Sequence, residues 1–158
     1  MIEAVDESNI YEAAYIHSES WKESHKDICT PGFLEIHTPE RQEAYLRKEM
    51  AEEKDIYMQR TSKPVGIVSV KDSLIENLYV LPGEQRKGYG SILLEYAISR
   101  CSSDPTLWII STNDRARNFY LKHGFRPTGR ELKRSSSMTE IELSLRQEET
   151  RRESNPDH

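Results

Sequence analysis

The residues best suited to chemistry lie in a stretch that leaves a predicted strand and enters a predicted helix. Residues 78–91 read Leu-Tyr-Val-Leu-Pro-Gly-Glu-Gln-Arg-Lys-Gly-Tyr-Gly-Ser. The first amides of a helix have no partner within the helix and lie at the positive end of its dipole. Gly88 and Gly90 carry no side chains, so phosphate oxygens can approach the backbone closely, and Arg86 and Lys87 add positive charge. The stretch therefore predicts a local anion site.

The spacing of the glycines excludes two common nucleotide-binding loops. A Walker loop requires Gly-x-x-x-x-Gly-Lys-Ser/Thr, and this stretch contains no such run. A Rossmann loop requires a third glycine at the position that Leu93 occupies. On two glycines and two basic residues alone, a glycine-rich turn with solvated side chains is as good an interpretation as a binding loop.

Two segments, in this order along the chain, carry a family resemblance. Residues 85–90 read Gln-Arg-Lys-Gly-Tyr-Gly, and residues 113–125 read Asn-Asp-Arg-Ala-Arg-Asn-Phe-Tyr-Leu-Lys-His-Gly-Phe. They resemble the Gln/Arg-x-x-Gly-x-Gly/Ala acetyl-CoA loop and the later Asn-x-x-Ala-x-x-Phe-Tyr-x-x-x-Gly-Phe segment of the GCN5-related N-acetyltransferase (GNAT) superfamily. The match is clear over residues 76–125, and the order of elements extends it over residues 1–145.

The resemblance implies an α/β fold with a mixed, largely antiparallel central sheet, helices on both faces, and a splayed fourth and fifth strand pair. It also implies acetyl-CoA as cofactor, with CoA as product, the pantetheine arm along the fourth strand and the pyrophosphate on the loop amides. The implied cofactor-binding residues are Leu78, Tyr79, Val80, Gln85, Arg86, Lys87, Gly88, Tyr89, Gly90, Ser91, Asn113 and Asn118. Family members often carry glycine at the position of Arg86 and arginine at that of Gln85, and the family tolerates both departures.

The implied reaction is acyl transfer from a thioester to an amine, which requires a neutral amine, an oxyanion donor and an acid for the leaving thiolate. By resemblance, the Val80 amide is the oxyanion donor and Tyr120 is the acid. Glu76 is the candidate base because period-two alternation places it on the strand face of Leu78 and Val80. In the best-known histone acetyltransferases the base maps onto Leu74, which cannot accept a proton, so a water chain stays open as the alternative.

The acceptor pocket is a weaker prediction. Trp21, His25 and Phe33 belong to the segment that covers the acceptor in this family, and Glu76 would bind a cationic substrate. For Trp21, plain core packing is at least as good an interpretation. His17 falls on the apolar face of a predicted helix and is interpreted as a satisfied core histidine. The histidines show no ligand spacing with Cys or Asp, so no metal is predicted.

The sequence therefore predicts an N-acetyltransferase that moves the acetyl group of acetyl-CoA to a primary amine of a small molecule by direct attack in a ternary complex. Two alternatives stay open: a protein or peptide N-acetyltransferase, and a non-catalytic acyl-CoA-binding sensor module. Many relatives are dimers, and the apolar face of the last strand offers a surface to a second copy, so a homodimer is also envisaged.

Composition limits the other function classes. The 158 residues include 22 Lys and Arg against 27 Asp and Glu, a net charge of −5, which argues against a nucleic-acid partner. No apolar run approaches the ~20 residues of a spanning helix, so no membrane partner is expected. The two cysteines, Cys29 and Cys101, exclude a disulfide scaffold, and the start of the chain does not resemble a signal peptide. A cytoplasmic location is expected.

Hydrophobic periodicity indicates the elements that would position the site residues. We predict strands at residues 2–5, 56–58, 65–70, 74–80 and 107–110, helices at residues 8–26, 38–53, 88–101 and 113–123, and a closing hairpin of residues 125–133 and 138–145. Residues 28–37 are expected to form an irregular connection. The order is β-α-α-β-β-β-α-β-α-β-β, in a single acetyltransferase domain of residues 1–145 followed by a charged tail, residues 146–158.

Helix ends carry the sharper local predictions. Asp6 or Ser8 is expected to cap the first helix, and Thr38 followed by Pro39 marks the start of the second. Gly124 is expected to close the helix of residues 113–123. The helix of residues 88–101 is expected to bury Ile92, Leu93, Ala97 and Ile98.

Overall fold

The structure is a computed structural model that describes residues 1–27 and 29–146. It has a mixed α/β fold with seven mostly antiparallel strands among the described residues, which confirms the predicted fold class. The elements are β1 (Ile2–Ala4), α1 (Ile10–His25), α2 (Pro31–Glu35), α3 (Pro39–Ala51), β2 (Asp55–Arg60), β3 (Pro64–Lys71), β4 (Leu74–Val80), α4 (Tyr89–Arg100), β5 (Thr106–Ile110), α5 (Asp114–Lys122), β6 (Arg126–Lys133) and β7 (Thr139–Ser144). A 3-10 turn, Pro82–Glu84, follows β4. No helix within the described ranges is long and apolar enough to cross a membrane.

The chain divides into two compact units. The first unit contains residues 1–71 and 77–99, and the second contains residues 72–76 and the chain from Arg100 onward. Strand β4 contributes residues to both. The predicted tail, apart from Arg146, lies outside the described residues.

The first unit has the strand order β1-β2-β3-β4, with β1 and β3 antiparallel to β2. Strand β3 is buried on both faces, as its run of valine and isoleucine favours. The hydrophobic core cluster of the first unit contains Val5, Ile10, Ala13, Ala14, Ile16, Leu46, Ile56, Met58 and Ile67. Each fully buried Ile or Leu contributes about 1.5–3 kcal/mol relative to an exposed one, so this cluster anchors helices α1 and α3.

The predicted cap of α1 is wrong. Asn9 lies at the N-cap position, and its side chain accepts a hydrogen bond from the Asp6 amide at 2.7 Å and donates one to the Ala4 carbonyl at 3.0 Å. Asp6 accepts from the Ser8 amide at 2.8 Å instead of capping the helix. Aspartate and asparagine side chains form such local turns readily, and here the turn precedes the helix start.

The irregular connection predicted for residues 28–37 contains helix α2, so the element order gains a helix. Thr30 accepts a hydrogen bond from the Phe33 amide at 3.3 Å, and Pro31 occupies the first turn. Thr38 caps α3 in the same way, accepting from the Arg41 amide at 3.2 Å, as predicted. A threonine cap followed by proline therefore begins both α2 and α3.

Helix α4 buries a slightly different face from the predicted one. Leu93, Leu94 and Ala97 are buried, whereas Ile92 is 46% exposed. Because successive residues are about 100° apart around a helix, a face centred on Leu93 and Leu94 turns Ile92 outward.

The second unit has the strand order β4-β5-β7-β6. Strand β5 runs parallel to β4, with Leu74 opposite Thr106 at the first residue of each strand, and antiparallel to β7. The predicted closing hairpin is confirmed, with a register shift between Pro127 and Glu131. Gly124 has φ +94° at the end of α5, also as predicted.

Strand β7 is an interior strand, paired with β5 on one side and β6 on the other. Its Leu143 side chain is fully buried. The apolar face is therefore covered at Leu143, whereas Ile141 and Leu145 on the same face are half-buried, and the homodimer stays a prediction.

Candidate active site

The loop between β4 and α4 contains two residues in left-handed backbone conformations, Arg86 with φ +66° and Gly88 with φ +89°. Such residues expose neighbouring N–H groups on one side of the chain, in an arrangement that binds anions. Helix α4 begins directly afterwards at Tyr89, and a side chain added at Gly88 would meet no atom within 4 Å. The loop backbone therefore has the shape and open face that an anion site requires.

The backbone conformation of Arg86 gives a physical reason why glycine suits this position. An L-residue in the left-handed region costs about 1–2 kcal/mol, whereas glycine adopts it without that cost. The position therefore favours glycine for backbone reasons, and the chain instead has an exposed guanidinium there.

The charges on this loop differ in availability. Glu84 lies 3.0 Å from the Lys87 ammonium and 3.1 Å from that of Lys63. Hydrogen bonding with Glu84 raises the pKa of Lys87, and hydrogen bonds from Lys87 and Lys63 lower the pKa of Glu84. Within residues 1–27 and 29–146, no carboxylate pairs with Arg86. Of the two predicted basic residues, Arg86 thus has the more available charge.

The end of β4 is held closely against β3. The Leu81 amide donates to the Val65 carbonyl at 2.9 Å, and Gln85 donates its side-chain N–H to the Val80 carbonyl at 3.2 Å. A Cβ at Gly66 would lie 2.9 Å from the Tyr79 carbonyl oxygen, which no real Cβ tolerates. Gly66 therefore permits the close approach of these strands, a role that sequence patterning did not indicate.

A cavity of about 290 Å³ lies within the first unit, beside α1, α3 and the end of β4. Its lining residues are His17, Trp21, His37, Arg41, Gln42, Tyr45, Asn77 and Tyr79. The cavity is largely aromatic, with polar groups among the rings, which is the usual composition of a small-molecule site.

Trp21 forms the centre of a ring stack. Its indole lies between the imidazoles of His25, at 3.9 Å, and His37, at 3.7 Å, and Phe33 lies 5.9 Å away. Of the three residues predicted to line an acceptor pocket, Trp21 lines this cavity. His25 and Phe33 are not lining residues and contact the Trp21 ring instead. Sequence analysis missed His37, because no motif or periodicity marks that connecting residue.

His17 is buried as predicted, at 4% exposed, but it is not satisfied. Its ring stacks on Tyr45 at 5.3 Å and meets Tyr79 edge-on at 5.0 Å. Its Nδ1 atom has no hydrogen-bond partner among the described residues. Burial lowers the pKa of His17 to about 4, against the opposing effect of Gln42 and Asn77, so the imidazole is neutral at neutral pH.

Asn77 interrupts strand β4 with φ +54°, and its side-chain N–H lies 3.3 Å from the Ser69 hydroxyl. A left-handed residue breaks the two-residue alternation of a strand, as a bulge does. Glu76 was placed on the same strand face as Leu78 and Val80 on the assumption that β4 is regular. Asn77 lies between Glu76 and Leu78, so that assumption does not hold here. Glu76 itself is half-buried in the second unit, and its role stays a prediction.

The second unit holds the remaining predicted residues. Tyr120 is half-buried on α5, with ring contacts to Phe119 at 5.1 Å and Phe125 at 5.8 Å. Burial raises the pKa of the Tyr120 hydroxyl, which is a neutral, protonated group at pH 7 with or without that shift. Asn113 accepts a hydrogen bond from the Ala116 amide at 3.1 Å, so its side-chain oxygen caps α5. Asn118 is exposed.

Other reactive groups are less suited to chemistry. Burial raises the pKa of the Cys101 thiol to about 11, so it is not a thiolate at neutral pH. Across the described ranges, no group of three or more His, Cys, Asp or Glu residues has the arrangement of a metal site.

Comparison with known proteins identifies the family. Residues 22–140 match the model of the acetyltransferase (GNAT) domain. A protein of Mycobacterium tuberculosis named as a probable N-acetyltransferase is 30% identical, over 74% of this chain and 74% of its own length.

Solved structures with low sequence identity share the fold. The PaiA N-acetyltransferase of Thermoplasma acidophilum, solved in complex with coenzyme A, has a TM-score of 0.68 at 17% identity and covers 90% of this chain and 96% of its own. A GCN5-related N-acetyltransferase of Rhodopseudomonas palustris has a TM-score of 0.72 at 18% identity, over 92% and 94%. Because the family model matches well over half of its length, this chain belongs to the GNAT acetyltransferase domain family and is an acyl-CoA-dependent acetyltransferase.

Proposed function

We propose that this protein transfers the acetyl group of acetyl-CoA to a primary amine of a small molecule, by direct attack in a ternary complex. The observation that carries the proposal is the pair of features in the first unit: an anion-binding loop and an aromatic cavity of about 290 Å³. A cavity of that size can hold a metabolite, and it can also admit a single side chain or chain terminus, so short peptides belong among the acceptors tested.

The residues of the loop fit the phosphates of acetyl-CoA. Left-handed backbone at Arg86 and Gly88, the first turn of α4 and the Arg86 guanidinium supply N–H donors and positive charge. In the proposed complex, residues 85–91 hold the pyrophosphate and residues 78–80 run beside the pantetheine arm. Asn113 and Asn118 are the proposed further contacts, with the backbone of Asn113 more suitable than its side-chain oxygen, which caps α5.

When bound, acetyl-CoA supplies a thioester carbonyl as the acetyl donor. The Val80 amide is proposed to stabilise the developing oxyanion, and Tyr120 to donate a proton to the leaving thiolate. The Tyr120 hydroxyl is protonated at neutral pH at its ordinary pKa, and burial raises that pKa and so weakens it as an acid in the free protein. The proposal for Tyr120 therefore rests on its place in residues 113–125. Glu76 or a water chain is proposed to remove the proton of the amine, and Trp21, with His25 and Phe33 behind it, to shape the acceptor side.

The extent of the domain, its cellular location and its oligomeric state are also part of the proposal. We propose that residues 1–145 act as one acetyltransferase domain, because the family match of residues 22–140 includes parts of both units. A cytoplasmic location is proposed from the two free cysteines, which are typical of a reducing compartment. A homodimer remains part of the proposal.

The proposal is tested by following CoA release with a thiol-detecting reagent, across polyamines, amino acids, aminoglycosides and short peptides. Binding of acetyl-CoA is measured in parallel by thermal shift. Turnover of a small amine is expected. Turnover of peptides alone would favour the protein acetyltransferase, and binding without any turnover would favour the sensor module.

The acid is tested with Tyr120→Phe, which removes only the hydroxyl. Loss of one general acid typically costs about 10²–10⁴-fold in rate, so kcat is expected to fall by that scale while acetyl-CoA binding is kept. Tyr11→Phe, at a tyrosine that is 67% exposed on α1, is the matched control and is expected to behave as wild type. Unchanged turnover by Tyr120→Phe would remove Tyr120 as the essential acid.

A further inference from the structure

The described residues on the cavity wall include a permanent positive charge and no negative one. Among the described residues that line it, Arg41 carries a permanent positive charge and none carries a carboxylate. This contrasts with the whole chain, in which Asp and Glu outnumber Lys and Arg by 27 to 22. A polycationic acceptor would therefore meet a like charge and no counter-ion on this wall.

Arg41 differs from two other arginines of the first unit in its pairing. Arg47, on the same helix, contacts both Glu7 and Glu43. Arg60, on β2, lies 2.9 Å from Glu3 and 2.7 Å from Glu12. In the part of the chain that the structure describes, no carboxylate pairs with Arg41. A guanidinium offers a fork of N–H donors that matches a carboxylate in two parallel hydrogen bonds, and this fork is available at the cavity.

His17 adds no competing charge to this wall. Its side chain is 96% buried, and burial lowers its pKa to about 4, so it lines the cavity as a neutral imidazole at neutral pH. Its Nδ1 atom has no partner among residues 1–27 and 29–146 but is itself buried, so a ligand in the cavity does not contact it. Arg41 is therefore the described lining residue whose permanent charge can select a ligand.

We propose that the acceptor is an amine that also carries a carboxylate, an amino-acid-like compound, with its carboxylate on Arg41. The rings of Trp21, Tyr45 and Tyr79 would contact its carbon skeleton. The inference rests on the proposed function, because it takes this cavity as the acceptor site.

Binding is measured first, by calorimetry with CoA present, so that the result does not depend on turnover. The probes are matched pairs that differ only in the carboxylate: phenylalanine and phenethylamine, histidine and histamine, lysine and cadaverine. Wild-type protein is expected to bind the carboxylate member of at least one pair about tenfold more tightly or better, the scale of one charge-assisted hydrogen bond.

Arg41→Gln is expected to abolish that preference by weakening binding of the carboxylate member, while the decarboxylated amine binds as tightly as before or more tightly, because a like charge has been removed. Lys48→Gln, at an exposed cation on the same helix, is the matched control and is expected to keep the preference. Where turnover occurs, Arg41→Gln is expected to raise KM for the carboxylate substrate more than it lowers kcat.

Tighter binding of the decarboxylated amines or of spermidine, or no binding of any carboxylate member, would overturn the inference. So would a carboxylate preference that survives in Arg41→Gln. The inference and the proposed function fail separately: a carboxylate preference without turnover rejects only the catalysis, and turnover of amines that is indifferent to Arg41→Gln rejects only the acceptor class.

Discussion

His17 carries a stability cost that its packing does not remove. A buried polar atom without a partner costs about 1–3 kcal/mol relative to a satisfied one, and His17 Nδ1 is such an atom. Its two ring contacts, with Tyr45 and Tyr79, hold the imidazole in place without satisfying that nitrogen. An apolar ring of similar shape at this position would not carry that cost.

The first residue-scale prediction concerns acid stability. Burial lowers the pKa of His17 from 6.5 to about 4, so between these values the unfolded chain binds a proton that the folded chain does not. The stability from neutral His17 is therefore complete above pH 6.5 and is lost as the pH falls towards 4. The slope from one such group is roughly 1 kcal/mol per pH unit. His37 and Glu49, the charged neighbours, modify the slope in opposite directions.

His17→Phe keeps the ring and removes the titration. The variant is expected to flatten the pH dependence of the free energy of unfolding between pH 4 and 6.5, and to be at least as stable as wild type at pH 7. Chemical denaturation at several pH values measures both quantities. His123→Phe, at a histidine outside the cavity, is the control, and an equal flattening there would show that His17 is not the source.

The residue scale is also where sequence reasoning was weakest. The periodicity of α1 predicted that His17 is buried, but periodicity carries no information on whether Nδ1 finds a partner. The cavity gathers residues from α1, α3, β4 and the connection at His37, and these four segments share no motif. By contrast, the loop of residues 85–91 was predictable, because its glycines and its place before a helix are local properties.

At the scale of elements, strong local signals predicted structure and short ones did not. Thr38 and Pro39 began α3 as expected, whereas Thr30 and Pro31 began α2 unnoticed. Both starts have the same chemistry, but α2 has only five residues, too few for hydrophobic periodicity to appear. The bulge-like Asn77 was missed for a different reason: period-two spacing was assumed for all of residues 74–80, and no residue type there marks a left-handed φ.

The element-scale prediction concerns the contact of β3 with β4. Gly66→Ala places a Cβ 2.6 Å from Leu93 Cδ1 and 2.9 Å from the Tyr79 carbonyl oxygen. The leucine can move, but the strand carbonyl cannot without disturbing the ladder, so a loss of about 1–3 kcal/mol is expected. Because Tyr79 lines the cavity, acceptor binding is expected to weaken as well. Thermal and urea unfolding measure the first effect, and calorimetry measures the second.

Gly32→Ala is the matched control, because a Cβ at Gly32, within helix α2, would meet nothing within 4 Å. It is expected to leave stability unchanged or to raise it by up to about 1 kcal/mol, since alanine favours helix. Equal stability of the two variants would contradict the close-approach role assigned to Gly66.

At the scale of the whole molecule, the division of the chain does not follow its sequence order. The first unit lacks residues 72–76, which belong to the second, and then resumes at Asn77. The boundaries fall after Lys71 at the end of β3, after Glu76 within β4, and after Ser99 in the last turn of α4, and no composition shift or linker marks them. Sequence reasoning could predict the fold class from motifs and element order, but a division within a strand depends on contacts distant in sequence.

The last prediction follows from that division. Neither unit is a continuous segment, and unfolding of β4 would remove strand residues from both units. We therefore expect residues 1–145 to unfold as one cooperative domain. The two tryptophans report each unit separately, Trp21 in the first and Trp108 on β5 in the second. Trp108→Phe and Trp21→Phe each leave one reporter. In each variant, the remaining fluorescence and the far-UV circular dichroism are expected to give coincident urea midpoints.

Addition of inorganic pyrophosphate makes the test independent of the intrinsic stability of each variant. Unlike CoA, which is also proposed to contact Asn113 and Asn118 of the second unit, pyrophosphate carries only the group proposed for residues 85–91 of the first unit, and a ligand at one hundred times its Kd stabilises the state that binds it by about 2.7 kcal/mol. If the domain is cooperative, the Trp108 signal of the second unit must shift by as much as the circular dichroism does. A Trp108 transition that stays in place while the Trp21 transition moves would show two independently unfolding units, and the single-domain proposal would be wrong.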